Sequence, residues 1–203
     1  RVAAACASRG ARLIHVSTDY VFDGEKGGYS ETDTPRPINV YGQSKLDAES
    51  RVTALCRDCA VARTAMVYSY NASSPNVAMQ LLNNNRNNIK SRVATDMYAN
   101  PTYAPDLAEM LIKLAESGKI GVFHATGPQK VSRLEFAQLA CRILGLNLEL
   151  LEPMQFAKLK PKAARPLDSS LEIAKLRQAI GHQPLGPEAG LKQFAKKMAE
   201  DGL

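Results

Sequence analysis

A short apolar run at residues 11–17 constrains the fold most, because it ends in the polar sequence Ser17-Thr18-Asp19-Tyr20. An apolar strand of this kind, followed by a helix, recurs along the chain. That alternation is typical of an α/β protein with a parallel sheet, in which ligands collect at the carboxyl ends of the strands. We predict strands at residues 11–17, 61–68 and 122–125, and helices ending near residue 9 and covering residues 41–55, 76–85 and 106–117.

The pattern changes after residue 126. Ser132 and Glu135 have the spacing of a capping box, and the helix that they begin stops at Gly145. We predict a short strand at residues 148–151 and two further helices at residues 170–179 and 187–199. The chain therefore divides into a first unit, residues 1–126, and a smaller α+β unit, residues 127–203, and we expect the two units to be interleaved.

Composition narrows the class of protein. The chain has a net charge of +6, but its Lys and Arg residues are dispersed, and no nucleic-acid-binding pattern appears. No apolar stretch is long enough for a membrane span, and no spacing of His or Cys residues indicates a metal site. The Cys56-Arg57-Asp58-Cys59 motif is at the end of a predicted helix, so we interpret it as structural. We expect a cytoplasmic protein that acts on an anionic small molecule.

Tyr41 and Lys45 are four residues apart, so they share one face of the predicted helix. A free phenol loses its proton only near pH ~10, and an adjacent ammonium group favours the phenolate. A hydroxyl such as that of Thr18 could join the phenol to a substrate oxygen. The three side chains together predict an acid/base site for a carbonyl group, with the hydride supplied by another group.

Several motifs resemble the dTDP-4-dehydrorhamnose reductase family of extended short-chain dehydrogenase/reductases. The resemblance extends over essentially the whole chain. It is carried by Ser17-Thr18-Asp19-Tyr20-Val21-Phe22-Asp23-Gly24, Glu31, Pro37, Asn39-Val40-Tyr41-Gly42, Ser44-Lys45-Leu46, Glu49, Arg63-Thr64, Val67-Tyr68, Asp96, Tyr98, Pro101-Thr102, Gly121, Phe123-His124, Arg165-Pro166, Ser169 and Leu171.

The resemblance implies a reductase that passes hydride from NADPH or NADH to the C4 ketone of a nucleotide-linked 4-keto-deoxysugar. By position, Tyr41 would be the proton donor and would lie against the cofactor. Lys45 would hold the nicotinamide ribose and favour the phenolate, and Ser17 would also contact the cofactor. Thr18 would orient the phenol.

The same resemblance implies a sugar site formed by Thr18, Asp19, Tyr20 and Met66. Met66 occupies a position where bacterial relatives carry Trp, so a thioether replaces a flat ring and the identity of the sugar stays open. Arg165, in a matched Arg-Pro motif at the end of a basic loop, would contact the diphosphate of the substrate.

A glycine-rich phosphate loop, which the family carries at the start of its Rossmann domain, is missing from residues 1–203. We therefore expect an N-terminally truncated chain. Residues 1–126 would be the second half of the cofactor domain, which contains the catalytic helix, and residues 127–203 would be mainly the substrate lobe. We expect this chain alone to bind NADPH or NADH negligibly and to be inactive.

Two alternatives to this reductase remain open at the level of sequence. The β regulatory subunit of methionine adenosyltransferase has much the same motif set and acts as a binding partner. Another extended-type nucleotide-sugar reductase or epimerase is also possible, although the residues around Asp19 and Arg165 fit the rhamnose group better. A homodimer is a further possibility.

Overall fold

A parallel three-stranded sheet lies at the centre of the fold. It is seen in a computed structural model that describes residues 1–71 and 75–201. The helices are α1 (Val2–Arg9), α2 (Val40–Leu55), α3 (Val77–Arg86), α4 (Ala104–Glu116), α5 (Arg133–Leu144), α6 (Ala174–Ile180) and α7 (Pro187–Glu200). The strands are β1 (Leu13–Thr18), β2 (Cys59–Thr64), β3 (Val67–Tyr68), β4 (Ser91–Ala94), β5 (Tyr98–Ala99), β6 (Thr102–Tyr103), β7 (Gly121–His124), β8 (Val131–Ser132) and β9 (Leu151–Met154).

The central sheet has the order β1–β2–β7, with all three strands parallel. Strand β2 is buried along its whole length because helices cover both of its faces. Ala60 and Ala62 face a cluster formed with α4 and α6, while Cys59 and Val61 face a cluster formed with α1. The predicted α/β class with a parallel sheet is therefore confirmed.

A second group of elements packs around Phe136 and Phe194. Here β4 pairs with β9, and α3, α5 and α7 share one apolar cluster that also includes Tyr68 and Tyr103. Elements from the middle of the chain thus pack with elements from its end. This packing is compatible with interleaved units, and the division between residues 126 and 127 stays a prediction.

Side-chain caps mark the starts of α2 and α5, and the one predicted for α5 is confirmed. Asn39 caps α2 by accepting a hydrogen bond from the Gly42 N–H at 2.7 Å. Ser132 and Glu135 form the predicted capping box, and α5 ends at Gly145 in the left-handed conformation.

Three predicted elements differ from the structure. The strand expected at residues 61–68 is broken because Met66 has a φ of 43°, which turns β3 away from β2. Residues 148–150 form a short 3-10 turn, and the strand follows at Leu151–Met154. The helix expected from residue 170 begins at Ala174, because the Leu171 N–H donates to Asn100 Oδ1 at 2.8 Å and holds the preceding residues extended.

Across residues 1–71 and 75–201, the helices include none that combines the length and the apolar character required to cross a membrane.

Gly190 allows α7 to pass close to Tyr68. A Cβ atom at residue 190 would lie 2.1 Å from Tyr68 Oη and 3.1 Å from Tyr103 Cβ. We expect Gly190→Ala to lower the free energy of unfolding by about 1–3 kcal/mol, measured by urea denaturation, because the core must shift. The matched control is Gly186→Ala, where the first contact would be the flexible end of Gln129 at 3.2 Å. Equal losses in the two variants would contradict this account.

Candidate functional site

Tyr41 lies in the first turn of α2, beside the carboxyl end of β1. Its side chain is 54% exposed. Its ring meets Tyr20 edge to face, with the two ring centroids 5.9 Å apart and an interplanar angle of 79°. The structure therefore brings together two of the predicted site residues and leaves the Tyr41 phenol accessible to a ligand.

Gly42 is what lets α2 approach this strand end so closely. A Cβ atom there would lie only 2.1 Å from the carbonyl oxygen of Tyr20. Any side chain at residue 42 would push α2 away and separate Tyr41 from Tyr20. The glycine after the tyrosine is thus a packing requirement of the site.

Lys45 reaches from α2 to the backbone of β1. Its Nζ donates a hydrogen bond to the carbonyl oxygen of Val16 at 2.7 Å. This contact places the ammonium group just before Ser17 and Thr18 on the strand. It lies on the same helical face as Tyr41, as the spacing predicted.

Asp19 and Thr18 form a buried hydrogen-bonded pair at the end of β1. Thr18 Oγ1 donates to Asp19 Oδ1 at 3.0 Å and accepts from the Tyr20 N–H at 3.2 Å. Ser169 donates to the other carboxylate oxygen of Asp19. Burial raises the pKa of Asp19 to about 6, against the opposing effects of the two hydroxyl groups and Arg133. Both oxygens of this carboxyl group are therefore occupied by protein hydroxyls.

Ser17 and Met66 make contacts away from Tyr41. Ser17 is buried and donates its hydroxyl proton to Glu49. Met66 is half-buried and packs against the apolar cluster around Phe136. A cofactor contact by Ser17 and a sugar contact by Met66 stay predictions.

A cavity of about 870 Å³ lies in the group of elements around α3 and α5. Arg133 and Arg165 both line it, and both lower the pKa of Tyr20 against the larger effect of its burial. Both guanidinium groups therefore act electrostatically on Tyr20. A hydrogen bond of 2.9 Å from Asn39 Nδ2 to the Ala164 carbonyl fixes the loop that carries Arg165 against the start of α2.

Arg165 was predicted from the sequence as part of this region, whereas Arg133, Ser169 and Glu49 were not. Arg133 is the first residue of α5, between the capping-box residues Ser132 and Glu135, a position that signals a helix start and carries no sign of a ligand site. Ser169 and Glu49 stand within the matched motifs, but only the fold shows that they contact Asp19 and Ser17.

One cluster elsewhere has donor atoms of the kind that bind metals. Asp106, Glu109 and His182 each offer a ligand atom, and these atoms lie within 4.8 Å of one another. His182 Nε2 is 2.7 Å from Asp106, and its Nδ1 is 3.4 Å from Glu109. Because each ring nitrogen faces a different carboxylate, the arrangement ties the turn after α6 to α4. Sequence spacing did not indicate this cluster because His182 is 76 positions from Asp106 in the chain.

The four cysteines, at positions 6, 56, 59 and 141, are free thiols. Burial raises the pKa of Cys59 and Cys141, which keeps these thiols protonated. The structural interpretation of the Cys56 and Cys59 pair therefore agrees with their surroundings.

Comparison with known proteins gives a consistent result. The family model described as RmlD substrate binding domain matches residues 1–200. A dTDP-4-dehydrorhamnose reductase of Aggregatibacter actinomycetemcomitans is 34% identical, over 95% of this chain and 69% of its own length. One from Mycobacterium tuberculosis is 41% identical, over 84% of this chain and 58% of its own length.

A solved structure agrees with these sequence matches. The dTDP-4-dehydrorhamnose reductase of Bacillus anthracis, in complex with NADP, superposes with a TM-score of 0.91 at 30% identity, covering 97% of this chain and 69% of that one. The parallel sheet and the Tyr41 helix are those of an extended short-chain dehydrogenase/reductase. Within that class, the chain belongs to the RmlD family, the dTDP-4-dehydrorhamnose reductase family. It spans between 58% and 69% of the length of these relatives.

The buried Asp19 predicts a pH-dependent stability. Its folded-state pKa of about 6 lies above the ordinary value of 3.8, so its stabilising contribution is complete below about pH 4 and is lost as pH rises through 6. Relative to Asp19→Asn, the wild-type protein should lose about 3 kcal/mol of unfolding free energy across this window. Urea unfolding at several pH values measures the difference. The exposed Asp47→Asn change is the control, and parallel profiles for wild type and Asp19→Asn would contradict the assignment.

Proposed function

We propose that the protein carrying this chain reduces the C4 ketone of a nucleotide-linked 4-keto-deoxysugar with NADPH or NADH. The observation that carries the proposal is the accessible Tyr41 phenol beside a Lys45 ammonium at the carboxyl end of a parallel strand. Relatives support the substrate class. A Streptomyces niveus protein named dTDP-4-keto-6-deoxy-D-glucose reductase is 33% identical over 81% of this chain.

Tyr41 is the proton donor in this proposal. Its exposed phenol would meet the ketone oxygen and transfer a proton to it as the oxygen gains negative charge. Lys45 would stabilise the phenolate that remains, because its ammonium is on the same helical face. Tyr41 would thus transfer the proton, and Lys45 would stabilise the charge that the transfer leaves on Tyr41.

The cofactor would supply the hydride when bound. Lys45 fits its nicotinamide ribose, since an ammonium held at a strand end can donate to ribose hydroxyls. The pyrophosphate needs backbone N–H groups of the kind that a glycine-rich loop provides. Residues 1–203 contain no such loop, so we assign only the ribose and nicotinamide end of the site to this chain.

Thr18 would act as an acceptor in the resting site. Its own proton is directed to Asp19, so a free lone pair on Oγ1 is what it can offer to the phenol or to a sugar hydroxyl. Asp19 and Ser169 would then support the sugar site by fixing Thr18. Direct sugar contacts by Asp19 and Tyr20 stay predictions from the family resemblance.

The 870 Å³ cavity suits the nucleotide part of the substrate. Its walls combine apolar groups such as Met97 and Phe156 with four cationic side chains, Lys90, Arg92, Arg133 and Arg165. Arg92 is paired with Glu152 at 3.4 Å. Because a sugar nucleotide carries a diphosphate and a base, a cavity that is both apolar and basic fits its chemistry. We assign the diphosphate to Arg165, with Arg133 beside it.

Tyr41→Phe in the cofactor-binding protein should lower the rate of reduction by at least ~100-fold and leave cofactor affinity unchanged, since only the proton donor is lost. Lys45→Met should lower both the rate of reduction and the affinity for the cofactor. NADPH oxidation with the keto-sugar nucleotide measures turnover, and calorimetry measures cofactor affinity. Tyr70→Phe, at a tyrosine packed on Phe194, is the matched control. Unchanged turnover in Tyr41→Phe would refute the assignment, and a wild-type protein without turnover would favour the regulatory alternative.

Arg165→Met should raise the KM for the sugar nucleotide by about 10- to 100-fold, because a charge-assisted contact with the diphosphate is lost. The value of kcat should change little. Arg92→Met is the control, since Arg92 lines the same cavity but is already paired with Glu152. Equal effects of the two substitutions would show that the cavity responds to net charge alone, against a specific role for Arg165.

A further inference from the structure

Lys45 and Glu49 have the spacing of an ion pair on one helix but do not form one. They are four residues apart on α2, a spacing at which an ammonium and a carboxylate usually attract each other. In the structure the Lys45 ammonium donates to the Val16 carbonyl instead. Within the part of the chain that the structure describes, Lys45 forms no ion pair.

Glu49 is held by other groups. Arg63 Nε lies 3.0 Å and 3.3 Å from its two carboxylate oxygens, and Arg63 Nη2 lies 2.7 Å from Oε2. Ser17 donates to Oε1. Glu49, Arg63 and Ser17 are 5%, 4% and 3% exposed, so water competes little for these bonds. Both carboxylate oxygens of Glu49 therefore accept hydrogen bonds from residues of the central sheet.

His15 shows that Lys45 and Glu49 lie in the same electrostatic environment. Burial lowers the pKa of His15, Lys45 lowers it further, and Glu49 raises it. Both charges therefore act on one imidazole that faces α2 from β1. His15 on the strand is electrostatically coupled to Lys45, and Tyr41 and Glu49 lie four residues before and after Lys45 on α2. Glu49 is bonded to Arg63 and Ser17, and Lys45 to the Val16 carbonyl.

We propose that Arg63 is a positioning residue that keeps Glu49 away from Lys45. A Lys45 ammonium paired with a carboxylate would carry little net charge towards Tyr41 or towards a cofactor. With Glu49 bound to Arg63 and Ser17, the charge of Lys45 is directed to the strand end where the reaction takes place. This inference rests on the proposed function for its purpose, while its electrostatic content can be tested without turnover.

The first test measures the reactivity of Lys45 towards acetic anhydride across a range of pH, followed by mass spectrometry. In Arg63→Met, Glu49 becomes available to Lys45, so the pH midpoint of acetylation should rise by about one unit. In the double variant Glu49→Gln/Arg63→Met, no carboxylate competes, and the midpoint should return to the wild-type value. A merely structural role of Arg63 would leave the double variant as displaced as the single one.

Arg51→Met is the matched control, because Arg51 is an exposed residue of α2 and its loss changes net charge equally. It should leave the midpoint unchanged. If Arg63→Met does not fold, Arg63→Lys replaces it, and a smaller rise in the same direction is expected because the two-point hold is lost. A wild-type midpoint in the folded Arg63 variant, or no recovery in the double variant, would overturn the proposal.

The second test uses the cofactor-binding protein. Arg63→Met should weaken NADPH binding and move the alkaline limb of the kcat/KM profile upward by about one pH unit, since a neutralised Lys45 favours the phenolate less. The double variant should regain the wild-type limb. If the wild-type protein reduces no keto-sugar nucleotide, the proposed function fails while the acetylation result still decides the role of Arg63. If the alkaline limb of the kcat/KM profile of Arg63→Met stays at the wild-type pH, the proposed role of Arg63 is overturned.

Discussion

The buried ion pair between Glu49 and Arg63 is the interaction on which the placement of α2 depends. The buried residues of this helix are Gly42 and Glu49, so a broad apolar stripe does not fix its rotation. The rotation of α2 is fixed instead by two residues. Gly42 packs against the Tyr20 carbonyl, and the Glu49 carboxylate is bonded to Ser17 of β1 and Arg63 of β2. Removing one partner of such a buried pair typically costs about 3–5 kcal/mol, so the helix has one strongly preferred orientation.

The same strand end also depends on a distant part of the chain. Ser169 bonds to Asp19, and the Asp168 N–H donates to the Gly24 carbonyl at 3.1 Å. Gly24 has a φ of 85°, and a Cβ atom there would lie 2.4 Å from Pro166. The segment around Ser169 therefore runs directly against the loop that follows β1. Residues 150 positions apart thus meet at one site, where Asp19 accepts hydrogen bonds from both Ser169 and Thr18.

The sequence was sufficient for features with local causes. The strand predicted at residues 11–17 and the capping box of α5 depend on neighbouring residues, and the structure has a strand at Leu13–Thr18 and the capping box. The break at Met66 was not predictable because apolar periodicity continues through it, while its backbone adopts a left-handed conformation. The contacts of Glu49 were also hidden, since a helical Glu four residues after a Lys indicates a surface pair, and only the fold supplies Arg63.

Exposure separates Tyr41 from other tyrosines of the chain. Burial raises the pKa of Tyr20, Tyr29, Tyr68 and Tyr103, so these phenols keep their protons more firmly. Tyr41 is 54% exposed, and its ring is supported from one side by Tyr20. A proton donor must be both accessible to a substrate and fixed in direction. Gly42, Tyr20 and the Glu49–Arg63 pair together satisfy both conditions: they fix the helix and leave the phenol uncovered.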